Sequence, residues 1–326
     1  MKVVARFVVL AVLVVGVFAR VAHAEEEDYP SKAIRFVVPL PPGGLTDVLA
    51  RVVAQKLTES WKQPVTVDNR GGGGTIIGTD IVAKAAPDGY TILLAPPALV
   101  INPSLRSDMP YDAEKSFAPV TLLVLSPAVL VVHPSLQVNT VRELIALAKS
   151  RPGELNYASG GNASGAHLAG ELLKRRAGIN MVHVPYKGQG MVLPAVLSGQ
   201  VPITIIQMPT VRALLAKGKL RALAVVSGER SKAMPDLPTI AEAAGLPGFN
   251  VNTWFGVVAP AGTPIRIVSR LNSEIGKIMR MPDVRDMLVP RGAEPATGTP
   301  EEFAAFIRGE IATAAELVKI AGARVD

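Results

Sequence analysis

The stretch that most constrains this chain is residues 34–51, IRFVVPLPPGGLTDVLAR. An apolar run over residues 34–38 leads into Pro39-Leu40-Pro41-Pro42 and turns through Gly43-Gly44. It then enters a segment in which Val48, Leu49, Val52, Val53 and Leu57 recur at helical spacing. That order predicts a buried strand, a tight turn and the start of a helix. Such a turn aims backbone N–H groups and the positive end of a helix dipole at whatever lies in front of it, so an anion site is the default expectation. The unit recurs. Leu155-Asn156-Tyr157-Ala158-Ser159 reads as a strand, residues 160–165 (GGNASG) as a second special turn, and Leu168, Leu172 and Leu173 as one face of the next helix.

Between and beyond these units the same rhythm continues. Residues 65–67 read as a strand, and the loop Asn69-Arg70-Gly71-Gly72-Gly73-Gly74-Thr75 leads to a helix through Ile77, Ile81 and Val82. A Pro87-Asp88-Gly89-Tyr90 turn precedes a buried strand over 91–95. Residues 117–133, nearly all apolar and broken at Ser126-Pro127, predict two buried strands and a crossing between lobes. Thr140 with Glu143 and Thr239 with Glu242 predict capped helices. Further strands are expected at 181–184, 201–206, 220–226 and 254–259, and helices at 191–197, 211–216, 264–279 and 300–321. Alternation of this kind argues a mostly parallel α/β fold, in which ligands sit beyond the carboxyl ends of the strands. Two turns of one kind, one in each lobe, would face each other across a cleft and grip one anion from both sides.

At 326 residues the chain exceeds one comfortable core, and two lobes of roughly 150 residues each are expected. Its first residues stand apart: Lys2 and Arg6 precede an apolar run over 7–18, and Ala22-His23-Ala24 supplies a small-x-small pattern before Glu25. This predicts an exported protein with a signal peptide over residues 1–24, cleaved after Ala24. The uncharged run between Arg6 and Arg20 is shorter than the roughly 20 residues that span a bilayer, so no stable membrane anchor is expected after cleavage. Cleavage also removes Lys2, Arg6 and Arg20, which lowers the net charge by three from +7 to +4, a modest lean towards anionic partners. Cysteine is absent, which excludes disulfides, a lipid-modified terminal cysteine and thiolate metal ligands. Aromatic residues make up 5% and basic residues are dispersed, which argues against a nucleic-acid surface.

Each candidate group has a plain reading beside the functional one. The turn at residues 41–47 is either an anion site or a strand-to-helix connection with Thr46 or Asp47 as its cap. Asp47 would repel a carboxylate unless it holds the loop open or meets an amine or hydroxyl, and the loop-holding role is favoured. Gly72, Gly74 and Gly78 give G-x-G-x-x-x-G, but no Gly-Lys-Ser/Thr follows and the spacing departs from the dinucleotide fingerprint. No cofactor is assigned, and an exported enzyme using residues 71–78 for a cofactor stands as the alternative. His133 and His183 lie at strand ends beside Pro134 and Pro185 and read as structural, which leaves His167 as the histidine placed to meet a ligand or serve as a cap partner. No H-E-x-x-H, G-x-S-x-G or S-x-x-K occurs after residue 24, so hydrolase machinery is not visible. Ser159, Asn162 and Ser164 are caps or donors. A bound carboxylate needs several donors, because burying it unpaired costs several kcal/mol or more.

These residues resemble a known family. Tyr29-Pro30-Ser31-Lys32, Pro41-Pro42-Gly43-Gly44 with Asp47, Asn69-Arg70, Ala86-Pro87-Asp88-Gly89-Tyr90-Thr91 and Ile101-Asn102-Pro103 look like the Bug-type, TctC-like receptors of tripartite tricarboxylate transporters. So do His167-Leu168-Ala169-Gly170-Glu171, Val184-Pro185-Tyr186-Lys187-Gly188 and Trp254-Phe255-Gly256 with Ala259-Pro260-Ala261-Gly262-Thr263-Pro264. The resemblance implies a periplasmic solute receptor of the type II binding-protein kind: two α/β lobes that close over a small carboxylated ligand without chemistry. It implies a monomer in transient contact with integral membrane transporter subunits, or, as an alternative, a receptor reporting to a membrane sensor. It also implies lobe 1 from residues 25–122 plus 251–326 and lobe 2 from 123–250, with two crossings and the C-terminal helices returned to lobe 1. The ligand positions it implies are Leu40, Pro42, Gly43, Gly44, Thr46 and Asp47 in lobe 1, and Ser159, Gly160, Asn162, Ser164, Gly165 and His167 in lobe 2.

Departures from the family bear on specificity. Thr75 stands where glycine is usual, Ile76 replaces a frequent asparagine, Leu40 a frequent aromatic, and Ala95-Pro96-Pro97 lacks the usual glycine, serine and threonine. Ile205-Ile206-Gln207 stands where Phe-Asp-Asn is frequent, so an aspartate has become Ile206. Thr75, Ile76, Ala95 and Gln207 therefore join the expected lining. The pocket suits an apolar carboxylate, aromatic or branched, better than an amino acid with its ammonium.

Overall fold

The computed structural model describes residues 29–161, 164–186, 189–232 and 234–322. The expected signal peptide, its cleavage point and Asn162 lie outside these residues.

The first sheet begins with β1 (Ile34–Val38), the glycine turn and α1 (Leu45–Trp61), then β2 (Val65–Asn69), α2 (Ile76–Ala83), β3 (Thr91–Ala95), α3 (Ala98–Leu105) and β4 (Phe117–Leu125). The second is built from β5 (Ala128–Val132), α4 (Val141–Ser150), β6 (Asn156–Ser159), α5 (Gly165–Ala177), β7 (Val182–Pro185) and α6 (Gln189–Leu197). It is completed by β8 (Ile203–Gln207), α7 (Met208–Ala216), β9 (Arg221–Val225) and α8 (Ile240–Ala244). The chain then returns through β10 (Trp254–Pro260), α9 (Ile265–Arg280), α10 (Pro282–Leu288), β11 (Glu294–Pro295) and α11 (Pro300–Ala321). The six-stranded sheet has the order β11-β4-β10-β3-β1-β2 and the five-stranded sheet β7-β6-β8-β5-β9. The bodies around them are called lobe 1 and lobe 2.

Strand periodicity sorts the apolar side chains into layers. Ile34, Phe36 and Val38 of β1 pack with α1 and α9, while Val37 faces the opposite layer with Leu93, Leu99 and Phe303. In lobe 2, Leu130 and Val132 meet Tyr157 and Leu172, while Val129 and Val131 meet Val192 and Val211. Both faces of each sheet are thus covered, which is why these strands read as continuous apolar runs.

Strand direction differs from the expectation of a mostly parallel fold. β1 is parallel to β2 and β3, and β6 to β7 and β8, but β10 is antiparallel to β3 and β4, and β5 to β8 and β9. β5 and β10, which bring the chain into the other lobe, enter their sheets at the carboxyl ends of the parallel strands and so run against them. The first crossing falls at residues 126–127 rather than at 122, because β4 continues to Leu125. Ser126 N–H donates to Thr253 O at 2.7 Å and ties the two crossing segments together.

The last helix also differs from the expectation. Phe303, Ile307 and Ala314 of α11 sit in the lobe 1 core, but Leu317 and Val318 enter the lobe 2 core. α11 therefore bridges the lobes. Its start is fixed by a full capping box between Thr299 and Glu302. The Thr239–Glu242 box is also complete, whereas Glu143 reaches past Thr140 to the N–H of Asn139 at 2.6 Å.

Candidate functional site

The first elbow follows β1. Gly43 has φ +93, and a Cβ there would meet nothing within 4 Å. Gly44 is the N-cap of α1 in extended conformation without any side-chain cap, so neither Thr46 nor Asp47 serves as the cap. The first N–H groups of the helix therefore have no side-chain acceptor. Asp47, 5% exposed, accepts from Gly43 N–H at 3.0 Å and from Arg51 Nε at 3.0 Å. It ties the elbow to the helix that follows. The hydrogen bond from Arg51, and to a lesser degree that from Gly43, holds its carboxyl below the usual range. Asn69 Nδ2 donates to Leu40 O at 3.2 Å and braces the same loop from β2. Pro42, Gly43 and Gly44 are exposed, and Thr46 is buried.

The glycine-rich loop beside it explains its own composition. Gly72, Gly73 and Gly74 have φ of +130, +56 and +66, and a Cβ on Gly78 would fall 2.6 Å from Arg70 O and 2.8 Å from Pro39 Cα. The glycines are needed for left-handed backbone and for seating α2 against the end of β1. Thr75 also adopts φ +84, an uncommon conformation for a β-branched residue. Its carbonyl accepts from Thr79 Oγ1 at 2.9 Å, and Asn102 Nδ2 donates to Gly74 O at 2.8 Å. Thr75 is buried, and Ile76 packs on the lobe 1 core.

The second elbow follows β6. Ser164 caps α5 by accepting from His167 N–H at 3.3 Å, and a Cβ on exposed Gly165 would meet nothing within 4 Å. Gly160 is half-buried. Ser159 and His167 turn inward, contrary to the reading of their side chains as ligand contacts. Ser159 is fully buried with its hydroxyl 2.6 Å from His183 Nε2, and the His167 ring stacks on His183 at 4.0 Å between centroids. Tyr157 stacks on His183 as well, at 5.0 Å between centroids, and donates to Glu171 at 2.7 Å. Burial, and then the neighbouring His167, lowers His183 to about 4, and burial also lowers His167. His133 is structural, as read: its Nδ1 accepts from Ser135 N–H at 3.3 Å.

A cavity of about 140 Å³ joins the lobes. Its wall includes Pro97, two residues past β3, with Gly165, the first residue of α5 after the β6 turn, and Gln207, the last residue of β8. It therefore lies beyond the carboxyl ends of strands from both sheets, the position expected for a ligand in parallel sheets. Ala95 is fully buried in the lobe 1 core, so Pro97 replaces it in the lining. Ile206 faces the lobe 2 core, while Ile205 and Gln207 face the cavity, as alternation along β8 requires. The residue at 206 therefore does not contribute to the cavity lining, and an isoleucine in place of aspartate there leaves that lining unchanged. Gly43 and Gly44 do not line this cavity. They follow β1, the strand beside β3, and so belong to the same sheet edge as Pro97.

Sequence reading did not find Val100 and Ile101 of α3, Asn252 and Thr253 of the second crossing, or Glu310 and Ala314 of α11, all of which line the cavity. Glu310 accepts from Asn252 Nδ2 at 3.1 Å and Trp254 Nε1 at 3.0 Å. Among the described residues there is no His/Asp/Glu group arranged to hold a metal ion, and no helix long and apolar enough to cross a membrane.

Comparison with known proteins places this geometry. BugT of Bordetella pertussis is 40% identical over 96% of this chain and 97% of its own length. The structure of Rpa4515 of R. palustris with adipate is 38% identical, covers 91% of this chain and 100% of that one, and superposes with a TM-score of 0.78. MatC of Rhodopseudomonas palustris with bound malate is 32% identical over 89% of this chain and 99% of that one, with a TM-score of 0.73. The fold is that of two-lobed periplasmic binding proteins. Residues 49–323 match the family described as tripartite tricarboxylate transporter family receptor, TctC, and with these relatives alongside, the chain belongs to that family of solute-binding receptors.

Proposed function

We propose that this protein is an exported periplasmic receptor, released by cleavage after Ala24, that captures a small carboxylate between its lobes and hands it unchanged to integral membrane transporter subunits. The ligand carboxylate is held by main-chain N–H groups and ordered waters of the two elbows, from Leu40, Gly44 and Thr46 on one side and Gly160, Ser164 and Gly165 on the other, while Pro42, which has no N–H, and Gly43, whose N–H goes to Asp47, shape the first turn. Asn162 joins the second elbow by its place in the sequence. Asp47 shapes the first elbow instead of touching the anion, which removes the conflict of two like charges at one site. The observation that carries this reading is the cavity joining Pro97 of lobe 1 to Gly165 and Gln207 of lobe 2. The glycine loop favours binding without a cofactor, since its glycines are used by backbone geometry. The receptor works as a monomer.

A ligand that binds only the folded protein stabilises it by about 2.7 kcal/mol at 100 times its dissociation constant. A thermal-shift screen over mono-, di- and tricarboxylates should therefore show at least one clear stabilisation, with the acid recovered intact. No shift with any carboxylate, or turnover of a bound one, would overturn the proposal.

A further inference from the structure

The cavity between the lobes has a chemistry of its own. Its walls are mostly apolar, with Val100 and Ile101 from α3, Leu168 from α5, Ile205 from β8 and Leu317 from α11. Its volume of about 140 Å³ matches that of an engineered apolar cavity, about 150 Å³, that admits benzene. Gly165 places the second elbow at its wall, so a carboxylate held there can send its body inward. Glu310 stands in the same wall. Its two oxygens accept from Asn252 and Trp254, both uncharged donors, and burial pushes its carboxyl above the usual carboxylate range. A second carboxylate on the ligand would enter a partly desolvated space that already disfavours the negative charge of one carboxyl.

We infer that this cavity is the subsite for the ligand's body, and that the protein selects monocarboxylates carrying one ring or a branched apolar group of similar size over dicarboxylates. The inference rests on the carboxylate-receptor reading and adds the class of ligand. It sets this chain apart from relatives whose structures hold adipate and malate. Selection has two parts: apolar walls reward a hydrocarbon body, and the desolvated space around Glu310 rejects a distal charge.

Calorimetric titration of the purified protein with benzoate, cyclohexanecarboxylate, acetate, adipate and malate tests this. The ring acids should bind at least tenfold tighter than adipate or malate. Ala314→Leu, which narrows the cavity, should lower the benzoate-to-acetate affinity ratio at least tenfold. Thr313→Leu, at a half-buried lining position, should lower it in the same direction and serves if the first variant does not fold. Glu310→Gln should raise the adipate-to-benzoate affinity ratio at least tenfold. Adipate or malate binding as tightly as the ring acids, or ratios that none of these substitutions moves, would overturn the inference while leaving a carboxylate receptor in place. Failure of every carboxylate to bind would overturn both.

Discussion

Replacing Asp47 by alanine removes the acceptor that ties Gly43 to the start of α1. The carboxylate accepts from Gly43 N–H at 3.0 Å and is almost fully buried, and a hydrogen bond to a charged group of this kind contributes about 1.5–3 kcal/mol. Arg51, with its side chain 58% exposed, adds little to this. The expected loss is therefore about 1.5–3 kcal/mol. For a chain of this size the unfolding entropy is about 0.6 kcal/mol/K, so Tm should fall by about 2–5 °C in scanning calorimetry. Because the elbow then loses its fixed shape, carboxylate affinity should drop about tenfold, an effect of about 1.4 kcal/mol. Asp47→Asn retains an acceptor for Gly43 and should lose less than half as much on both counts. The carboxyl titrates below its ordinary 3.8, so its contribution is complete above that pH and is lost as pH falls through the lower folded value. The stability gap between wild type and Asp47→Asn should be level above pH 3.8 and close below it. An Asp47→Ala protein that melts within 1 °C of wild type and binds as tightly would refute the assigned role.

Other expectations concern the packing beneath the elbows. His183 titrates near 4 in the folded chain against an ordinary 6.5, so the unfolded chain takes the proton first and stability should fall as pH drops from 6.5 towards 4. His183→Gln should flatten that limb in urea titrations, with the lowered His167 leaving a residual slope of the same sign; an unaltered limb would show that His183 is not the group involved. Gly170→Ala places a methyl inside the Tyr157 ring envelope and should cost about 1–3 kcal/mol despite alanine's better helix propensity, and a stabilised variant would contradict this packing. Thr75→Gly relieves a left-handed threonine, a strain of about 1–3 kcal/mol, while loosening the unfolded chain by about 0.4–1 kcal/mol. Its stability should match or exceed wild type, and a loss above about 2 kcal/mol would show that the Thr75 side chain matters more than its backbone.

Local pattern made much of this legible. The buried strand β1 and the caps at Thr140, Thr239 and Ser164 depend on neighbours in sequence, and the two elbows follow from glycine and helix-start chemistry. α3 was not read because Pro103 lies inside it, where proline ordinarily argues against a helix. Strand direction at β5 and β10 depends on how the chain passes between lobes, which no residue pattern encodes. α11 shows an apolar face but not that its last turn leaves one core for another. The inward turn of Ser159 and His167 follows from His183 on the neighbouring strand, 24 and 16 positions away in sequence. The cavity wall draws on α3, the second crossing and α11 together, so only Gly165 and Gln207 among the expected residues were found in it.

The most direct measurement is a crystal structure of the protein with bound benzoate. The carboxylate should lie within hydrogen-bonding distance, about 2.7–3.2 Å, of main-chain N–H groups from both residues 44–46 and 164–166, with the ring in the cavity beside Ile205. A ligand held by one lobe alone, or seated away from both elbows, would contradict the account.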